Sequence, residues 1–265
     1  MPLAYYSRAA TTEFWSEHWG GHSVDTLVAV ARTSPLTALL RRYLPADGRV
    51  LEAGCGPGHY VLLLREHGHR VVGADWSCDA LREAARRAAP LAAMDLRALA
   101  IPDRALDAYV SLGVVEHDPA GPEIIVAEAA RTLRPGGVLL LSVPYWNGTR
   151  RVLGPWLRRR GRRLSASGAA FYQFAFTRRE MRGFLEAPGF TVRAFHPYDP
   201  GRIPRKAVDV LRATLSGRTG RPPADRPGDG AAGRGGLRGA ARAALYSAPG
   251  LRLLGHMLLA VAVRR

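Results

Sequence analysis

The sequence predicts an α/β fold in which a mostly parallel sheet carries helices on both faces. Two observations support this. Between Arg49 and Val143, short β-branched runs alternate with stretches of helical periodicity, the pattern of strands joined by crossover helices. The first of these strands leads directly into a glycine-rich turn, Gly54-Cys55-Gly56-Pro57-Gly58, and then into a helix. That order places a ligand site at the carboxyl end of a strand.

Taken in order, the strands are expected at Arg49–Ala53, Arg70–Ala74, Leu91–Met94, Asp107–Leu112 and Val138–Val143. Helices are expected between them at Tyr60–His67, Ser77–Ala89 and Glu123–Leu133. Ser77 is suited to cap the second of these, and Arg134-Pro135-Gly136-Gly137 to stop the third. Ahead of the sheet, Thr11–Trp19 and Asp25–Tyr43 have the spacing of two helices, an N-terminal helical cap over residues 1–45. The core is expected to span 46–200, with a further helix over Thr177–Ala187 capped by Thr177 and a strand at Phe190–Phe195. The arginine-rich run 150–163 around Trp156 has the composition of a surface insertion. Residues 201–239 form an Arg/Gly/Pro-rich insertion. Within it, 217–239 hold eight glycines, three prolines and a single large apolar residue, Leu237. Such a stretch cannot bury enough surface to offset its ordering entropy, so it is expected to be largely disordered. Residues 240–265 then supply a helix and a last strand, His256–Val263.

The formal charge of +16 is uneven. Residues 1–149 hold 14 arginines and 16 acids, a net of −2, whereas residues 150–265 hold 23 arginines, one lysine and six acids, a net of +18. The second half therefore carries either a solvated basic surface or a face for an anionic partner. Cys55 and Cys78 are the only cysteines, too few for a disulfide framework. The N-terminus lacks the basic start and apolar run of a secretory signal. The run Leu253–Val263 is shorter than the roughly 20 residues of a spanning helix. The expectation is a soluble, cytoplasmic protein.

Glycine at 54, 56 and 58 lets the backbone turn sharply and lets a ligand approach where a Cβ would clash. The helix that follows offers free N–H groups and the positive end of its dipole. Asp75, ending the second strand, can accept two hydrogen bonds from a ribose diol, and Trp76 beside it offers a face for adenine. A nicotinamide-dinucleotide fingerprint, G-x-G-x-x-G, would require glycine at position 59, where His59 stands.

Four blocks, VLEAGCGPG, VVGADWS, MDLRALAIPDRALDAYVSLGVVEH and EAARTLRPGGVLLLSVP, together covering residues 49–144, resemble those of the class I S-adenosylmethionine-dependent methyltransferases in order and spacing. Residues 171–190, FYQFAFTRREMRGFLEAPGF, are similar to the family's later helix and strand. The resemblance is to the small-molecule, type 11-like branch. It implies a Rossmann-like seven-stranded sheet of order 3-2-1-4-5-7-6 with the last strand antiparallel, and S-adenosylmethionine as cofactor. It further implies that Gly54, Cys55, Gly56 and Gly58 run along the methionine portion, with Glu52 supporting the loop. Asp75 would hold the ribose, Asp95 and Leu96 would lie at the adenine edge, and Leu112 near the sulfonium.

Leu112-Gly113-Val114-Val115 replaces the Asn/Asp-Pro-Pro-Tyr/Phe block typical of adenine and glutamine nitrogen methylation, and neither cysteine has the Pro-Cys setting of cytosine C5 enzymes. The expected acceptor is an O or N atom of a small molecule, anionic or lipid-linked. A hydroxyl acceptor needs help losing its proton, and Glu116-His117, just past the fourth strand, is the candidate pair; bracing the loop is the plainer role for His117. A similar pair in quinone O-methyltransferases is associated with a metal and a further acid three residues earlier. Gly113 occupies that position, so no metal is expected. His18, His22, Tyr5 and Tyr6 are weaker candidates at the pocket's cap. The alternatives are an RNA methyltransferase, disfavoured because base-stacking aromatics are absent among the arginines of 202–242, and a non-catalytic module binding polyanions or a membrane surface.

Overall fold

The structure, a computed structural model, describes residues 1–87, 89–200 and 237–265. The insertion expected at 201–239, and with it the disordered stretch 217–239, falls outside the described residues as far as residue 236.

A seven-stranded sheet forms the centre. It comprises β2 (Arg49–Ala53), β3 (Arg70–Asp75), β4 (Leu91–Ala93), β5 (Leu106–Leu112), β6 (Leu133–Pro144), β8 (Phe190–Tyr198) and β9 (Met257–Arg264), in the order β4-β3-β2-β5-β6-β9-β8. The first five are mutually parallel, and β9 runs antiparallel to both its neighbours. This is the strand order the resemblance implies. β5 is almost continuously buried, as a strand covered on both faces must be.

Each face has its own core. Leu51, Tyr109 and Leu139 pack with α6 (Glu123–Thr132) and α9 (Arg178–Glu186) through Val126, Met181 and Leu185. Val50, Val110 and Leu140 pack on the other side with α2 (Val24–Arg32), α3 (Pro35–Tyr43) and α4 (His59–Glu66) through Val28, Leu40 and Leu64. α9 starts with a reciprocal capping box between Thr177 and Glu180, which satisfies two backbone donors at once. α5 (Cys78–Ala85) begins after Ser77, whose Oγ accepts from the Ala80 N–H at 3.3 Å.

Several elements differ from expectation. The helix expected over Asp25–Tyr43 is two helices, α2 and α3. Pro35 lacks an N–H and drives Ser34 into an extended conformation, from which the serine Oγ caps α3 by accepting from the Leu36 N–H. Arg134–Gly137 does not follow the third crossover helix as a stop. The helix ends at Thr132, and these residues lie inside β6. The run 150–163, expected as a surface insertion, is helical. It forms α7 (Gly148–Val152) and α8 (Gly154–Ala166), and Gly161 of α8 sits close enough to the Ala4 carbonyl that a Cβ would lie 3.4 Å from it. Wholly unanticipated is a two-stranded antiparallel sheet of β1 (Leu3–Ser7) and β7 (Ala170–Ala175).

β9 joins the two cores. Leu258, Ala260 and Ala262 face one and Leu259 and Val261 the other, all nearly inaccessible. Leu258→Ala therefore leaves a cavity next to a strand paired on both sides. It should cost about 2–5 kcal/mol in chemical denaturation; a loss under about 0.5 kcal/mol would show that β9 does not complete the core.

Candidate active site

The carboxyl ends of β2, β3 and β5 open into a cavity of about 570 Å³, within the roughly 300–1,000 Å³ of small-molecule sites. Its floor includes Gly54, Asp75, Trp76, Asp95, Leu96 and Leu112, and one wall holds Gly113, Val114 and His117. The lid is α1 (Thr12–Gly20) with the residues leading into it, from Ala9 through Trp15 to Trp19; Ala170 and Phe171 of β7 close the far end. α1 is held by its Thr11 cap and by a 3.1 Å hydrogen bond between Ser16 Oγ and Ser77 Oγ. Trp15 and Trp19, four residues apart, occupy one helix face.

The glycine turn is shaped by backbone geometry. Gly54, Gly56 and Gly58 have φ of 77°, 51° and 73°, the left-handed region that side chains disfavour. A Cβ at Gly54 would meet Val114 Cγ2, and one at Gly56 would come within 2.9 Å of the Trp19 ring. Space at Gly56 is thus taken by the lid tryptophan rather than left open. Glu52 is buried, and burial with the neighbouring Asp75 charge pushes its pKa well up, opposed by the Val61 backbone. Glu52, Cys55, Gly56 and Gly58 do not line the cavity. Cys55 is buried, and burial pushes its thiol well up.

Asp75 links the turn to the next strand. Its Oδ2 accepts from the Gly56 N–H at 2.8 Å and its Oδ1 from the Ser77 N–H at 2.9 Å. Burial raises its pKa, against those same hydrogen bonds, which lower it. A carboxylate has about four acceptor positions, so Asp75 keeps acceptor capacity for a ligand hydroxyl. Trp76 is 45% exposed at the cavity edge. Asp95 is more exposed than its expected role suggests, and Arg97 engages both its oxygens, holding its carboxyl below the usual range.

His117 ends a short 3-10 turn, Val115–His117. Its Nδ1 lies 2.8 Å from the Tyr172 carbonyl; a carbonyl only accepts, so Nδ1 carries the proton and Nε2 has its lone pair free. Burial lowers its pKa to about 4. Trp15 packs edge-on against the ring at 4.9 Å. Glu116 is separated from the cavity: it is fully buried, does not line the cavity, and its Oε1 lies 3.9 Å from His117 Nε2. Its Oε2 has no hydrogen-bond partner, and burial pushes its pKa up to about 8. It is therefore a neutral carboxylic acid beneath the histidine. Among the described residues no group of three or more His, Cys, Asp or Glu could hold a metal ion.

His18, His22, Tyr5 and Tyr6 do not line the cavity. His22 Nδ1 pairs with the His18 carbonyl, Tyr6 packs against Phe171, and the Arg150 guanidinium lies over Tyr5. The wall residues that sequence reasoning missed are Trp15, Trp19, Ala170 and Phe171. The two tryptophans had a signal in their four-residue spacing, and β7 had one in the aromatic density of FYQF.

Residues 51–141 match the model of a methyltransferase domain. They are a methyltransferase domain. It belongs to the class I S-adenosylmethionine-dependent methyltransferases, type 11 branch, whose cofactor is S-adenosylmethionine. A probable S-adenosylmethionine-dependent methyltransferase of Mycolicibacterium smegmatis is 39% identical over 100 residues, which are 36% of this chain and 37% of that protein. A trans-aconitate 2-methyltransferase of an Azoarcus species is 38% identical over 141 residues, 48% of this chain and 54% of its own length. The chain thus spans between about a third and about a half of these relatives. In fold, it superposes on an S-adenosylmethionine-dependent methyltransferase of Methanosarcina mazei with a TM-score of 0.54 at 23% identity, covering 62% of this chain and 90% of the other. The methyltransferase cavity fits the cofactor: it has the volume, Gly54 at the start of the left-handed glycine turn, and the buried carboxylate of Asp75 with acceptor capacity.

The buried acid beneath His117 gives the methyltransferase domain a pH signature. Glu116 titrates near 8 when folded and near 4.3 when unfolded, so between these values the folded state binds the extra proton. Its contribution to stability is present in full below the lower value and declines as pH rises through the upper one, by at most about 1.4 kcal/mol per pH unit. Glu116→Gln keeps the shape and removes the titration, so its stability relative to the parent should grow from pH 5 to pH 8 in parallel denaturation curves. A constant difference across that range would show that Glu116 is not buried as an acid.

Proposed function

We propose that the chain transfers a methyl group from S-adenosylmethionine to an O or N atom of a small acceptor, anionic or lipid-linked, with His117 as the group that orients and deprotonates it. The carrying observation is the His117 side chain, locked by Tyr172 with Nε2 free, in the cavity wall next to Leu112 and Gly113. When bound, the cofactor supplies an electrophilic methyl carbon on a sulfonium. The turn Gly54–Gly58 would follow its methionine portion, Asp75 its ribose hydroxyls, and Trp76, Asp95 and Leu96 its adenine, with Leu112 near the sulfur. α1, with Trp15 and Trp19, excludes water from the reacting atoms, so alignment and desolvation supply much of the acceleration. The far end, between Glu13, Ala170 and Phe171, is the space left for the acceptor. A hydroxyl proton would leave to His117 Nε2 as the new bond forms. The trans-aconitate of the Azoarcus relative's name is itself an anion, in keeping with an anionic acceptor.

Asp75→Ala should weaken S-adenosylmethionine binding by about 1.5–3 kcal/mol, the worth of charged hydrogen bonds, in calorimetry. Undiminished affinity would remove Asp75 from the cofactor site.

With a hydroxyl acceptor found by screening for S-adenosylhomocysteine release, His117→Ala should lower kcat by about 10²–10⁴-fold while cofactor affinity stays within a factor of about two. Because burial keeps the imidazole neutral down to about pH 4, the parent's kcat should show no acidic limb near 6.5. A fall in cofactor affinity without a fall in kcat would make His117 a brace for the loop.

A further inference from the structure

The basic second half of the chain is not spread evenly over the fold. α7 and α8 contain seven arginines, and residues 129–179, which include both helices, contain no Asp or Glu. The helices Leu237–Tyr246 and Ala248–Leu254 lie in a second acid-free stretch, residues 230–265. α7 is bonded to the latter of these helices: Thr149 Oγ1 donates to the Leu253 carbonyl at 2.9 Å, and Asn147 Nδ2 to the Gly255 carbonyl at 2.8 Å. A Cβ on Gly148 would lie 2.7 Å from Leu253 Cδ1.

This joined surface also exposes apolar side chains. Among the described residues, five of the ten exposed large hydrophobics lie on it: Val152 (80% exposed), Leu153, Trp156 (55%), Tyr246 and Leu253 (51%). Along α8, Trp156, Arg159, Arg160 and Arg163 recur at positions i, i+3, i+4 and i+7 and so share one face. The opposite side of the helix is pinned to the protein by buried Gly161 and by Arg158, which donates to the Met1 carbonyl and lies over the Trp146 ring. The guanidinium of Arg160 lies 5.5 Å from the Trp156 ring centre. Arg159, Arg160 and Arg163 form no ion pair with any described residue.

We infer that this face docks on an anionic lipid surface, with Trp156, Val152, Leu153 and Leu253 at the headgroup boundary and the arginines on lipid phosphates. Charge alone would suit any polyanion. The aliphatic residues decide: a nucleic-acid backbone would leave them in water, whereas an interface buries them beside tryptophan, the side chain that favours that depth. Neither of the two stretches that build the face among the described residues contributes an acid to repel the lipid. The surface lies on the far side of α8 from β1, whose partner β7 closes the acceptor end of the cavity through Ala170 and Phe171. Docking there would bring that end near a lipid-embedded acceptor. Only this last step rests on the proposed methyl transfer; the docking itself does not.

The test is co-sedimentation of the full chain with vesicles, which reads no activity. The chain should bind phosphatidylcholine vesicles containing about 30 mol% phosphatidylserine and not pure phosphatidylcholine, and added salt should release it. Each arginine near such a surface is worth about fivefold in partitioning, so Arg159→Gln, Arg160→Gln and Arg163→Gln together should weaken binding about 100-fold. Trp156→Ala should weaken it about tenfold, and both variants should melt with the parent. Either of two results overturns the inference. One is that the parent binds both vesicle types equally or neither. The other is that single-stranded RNA at the same salt binds more tightly than vesicles and is indifferent to Trp156→Ala.

Discussion

The site depends on one carboxylate. Asp75 accepts from the Gly56 N–H on one oxygen and the Ser77 N–H on the other, and so holds together three pieces of chain: the turn after β2, the end of β3 and the cap of α5. Each of those pieces leaves backbone donors that its own strand cannot satisfy. The arrangement opposes a cost, because burial raises the Asp75 pKa while the backbone hydrogen bonds lower it. A neutral side chain of the same shape would avoid that cost, but would trade one of the two acceptor oxygens for a donor. With both oxygens as acceptors, Asp75 holds the turn and keeps acceptor capacity for a ligand.

Electrostatics then divide the cavity. Behind the floor, burial and then the Asp75 charge raise the cost of ionising Glu52, whose Oε2 has no hydrogen-bond partner. In the wall His117 is held as a neutral base, and behind it Glu116 as a neutral acid. Their shifts share one cause, the exclusion of water, but act in opposite directions because burial disfavours whichever form is charged. Exclusion of water depends on α1, none of whose residues is itself buried. The lid adds little to the core and covers the reacting space through Trp15 and Trp19, consistent with a segment drawn from the less stable end of the structure.

Most of the parallel half was legible. β2 falls at the expected residues, β3 and β5 within one residue of them, and the strand order follows from the resemblance. Gly54, Asp75, Trp76, Asp95, Leu96, Leu112 and His117 do converge on one cavity. What was not legible has physical reasons. Pro35 sits inside an otherwise continuous helical period, and periodicity alone cannot show that Ser34 is prepared to restart the helix. β1 and β7 pair across more than 160 residues, and a five-residue strand carries too little pattern to announce a partner that distant. α8 looked like a surface run because its arginines outnumber its apolar residues; its packing relies on the two glycines that are buried, Gly154 and Gly161, which hydrophobicity does not register. Glu116 was expected to share in the chemistry, yet it is fully buried behind His117, which lines the cavity while Glu116 does not.

The same division explains how one chain can be net acidic where it binds and net basic where it is most exposed. Four acids line the cavity, Glu13, Asp75, Asp95 and Asp118, against one arginine, Arg97, which is committed to Asp95. Such a lining suits a cationic sulfonium and repels a free anion. An anionic acceptor must therefore be drawn by something outside the cavity, and the arginines of α8 lie on the far side of the β1–β7 sheet. Screening at physiological salt confines their pull through water to about 8 Å, so they act on an anion or a lipid headgroup at their own surface. On the proposed reading, the basic surface governs arrival and His117 governs proton removal.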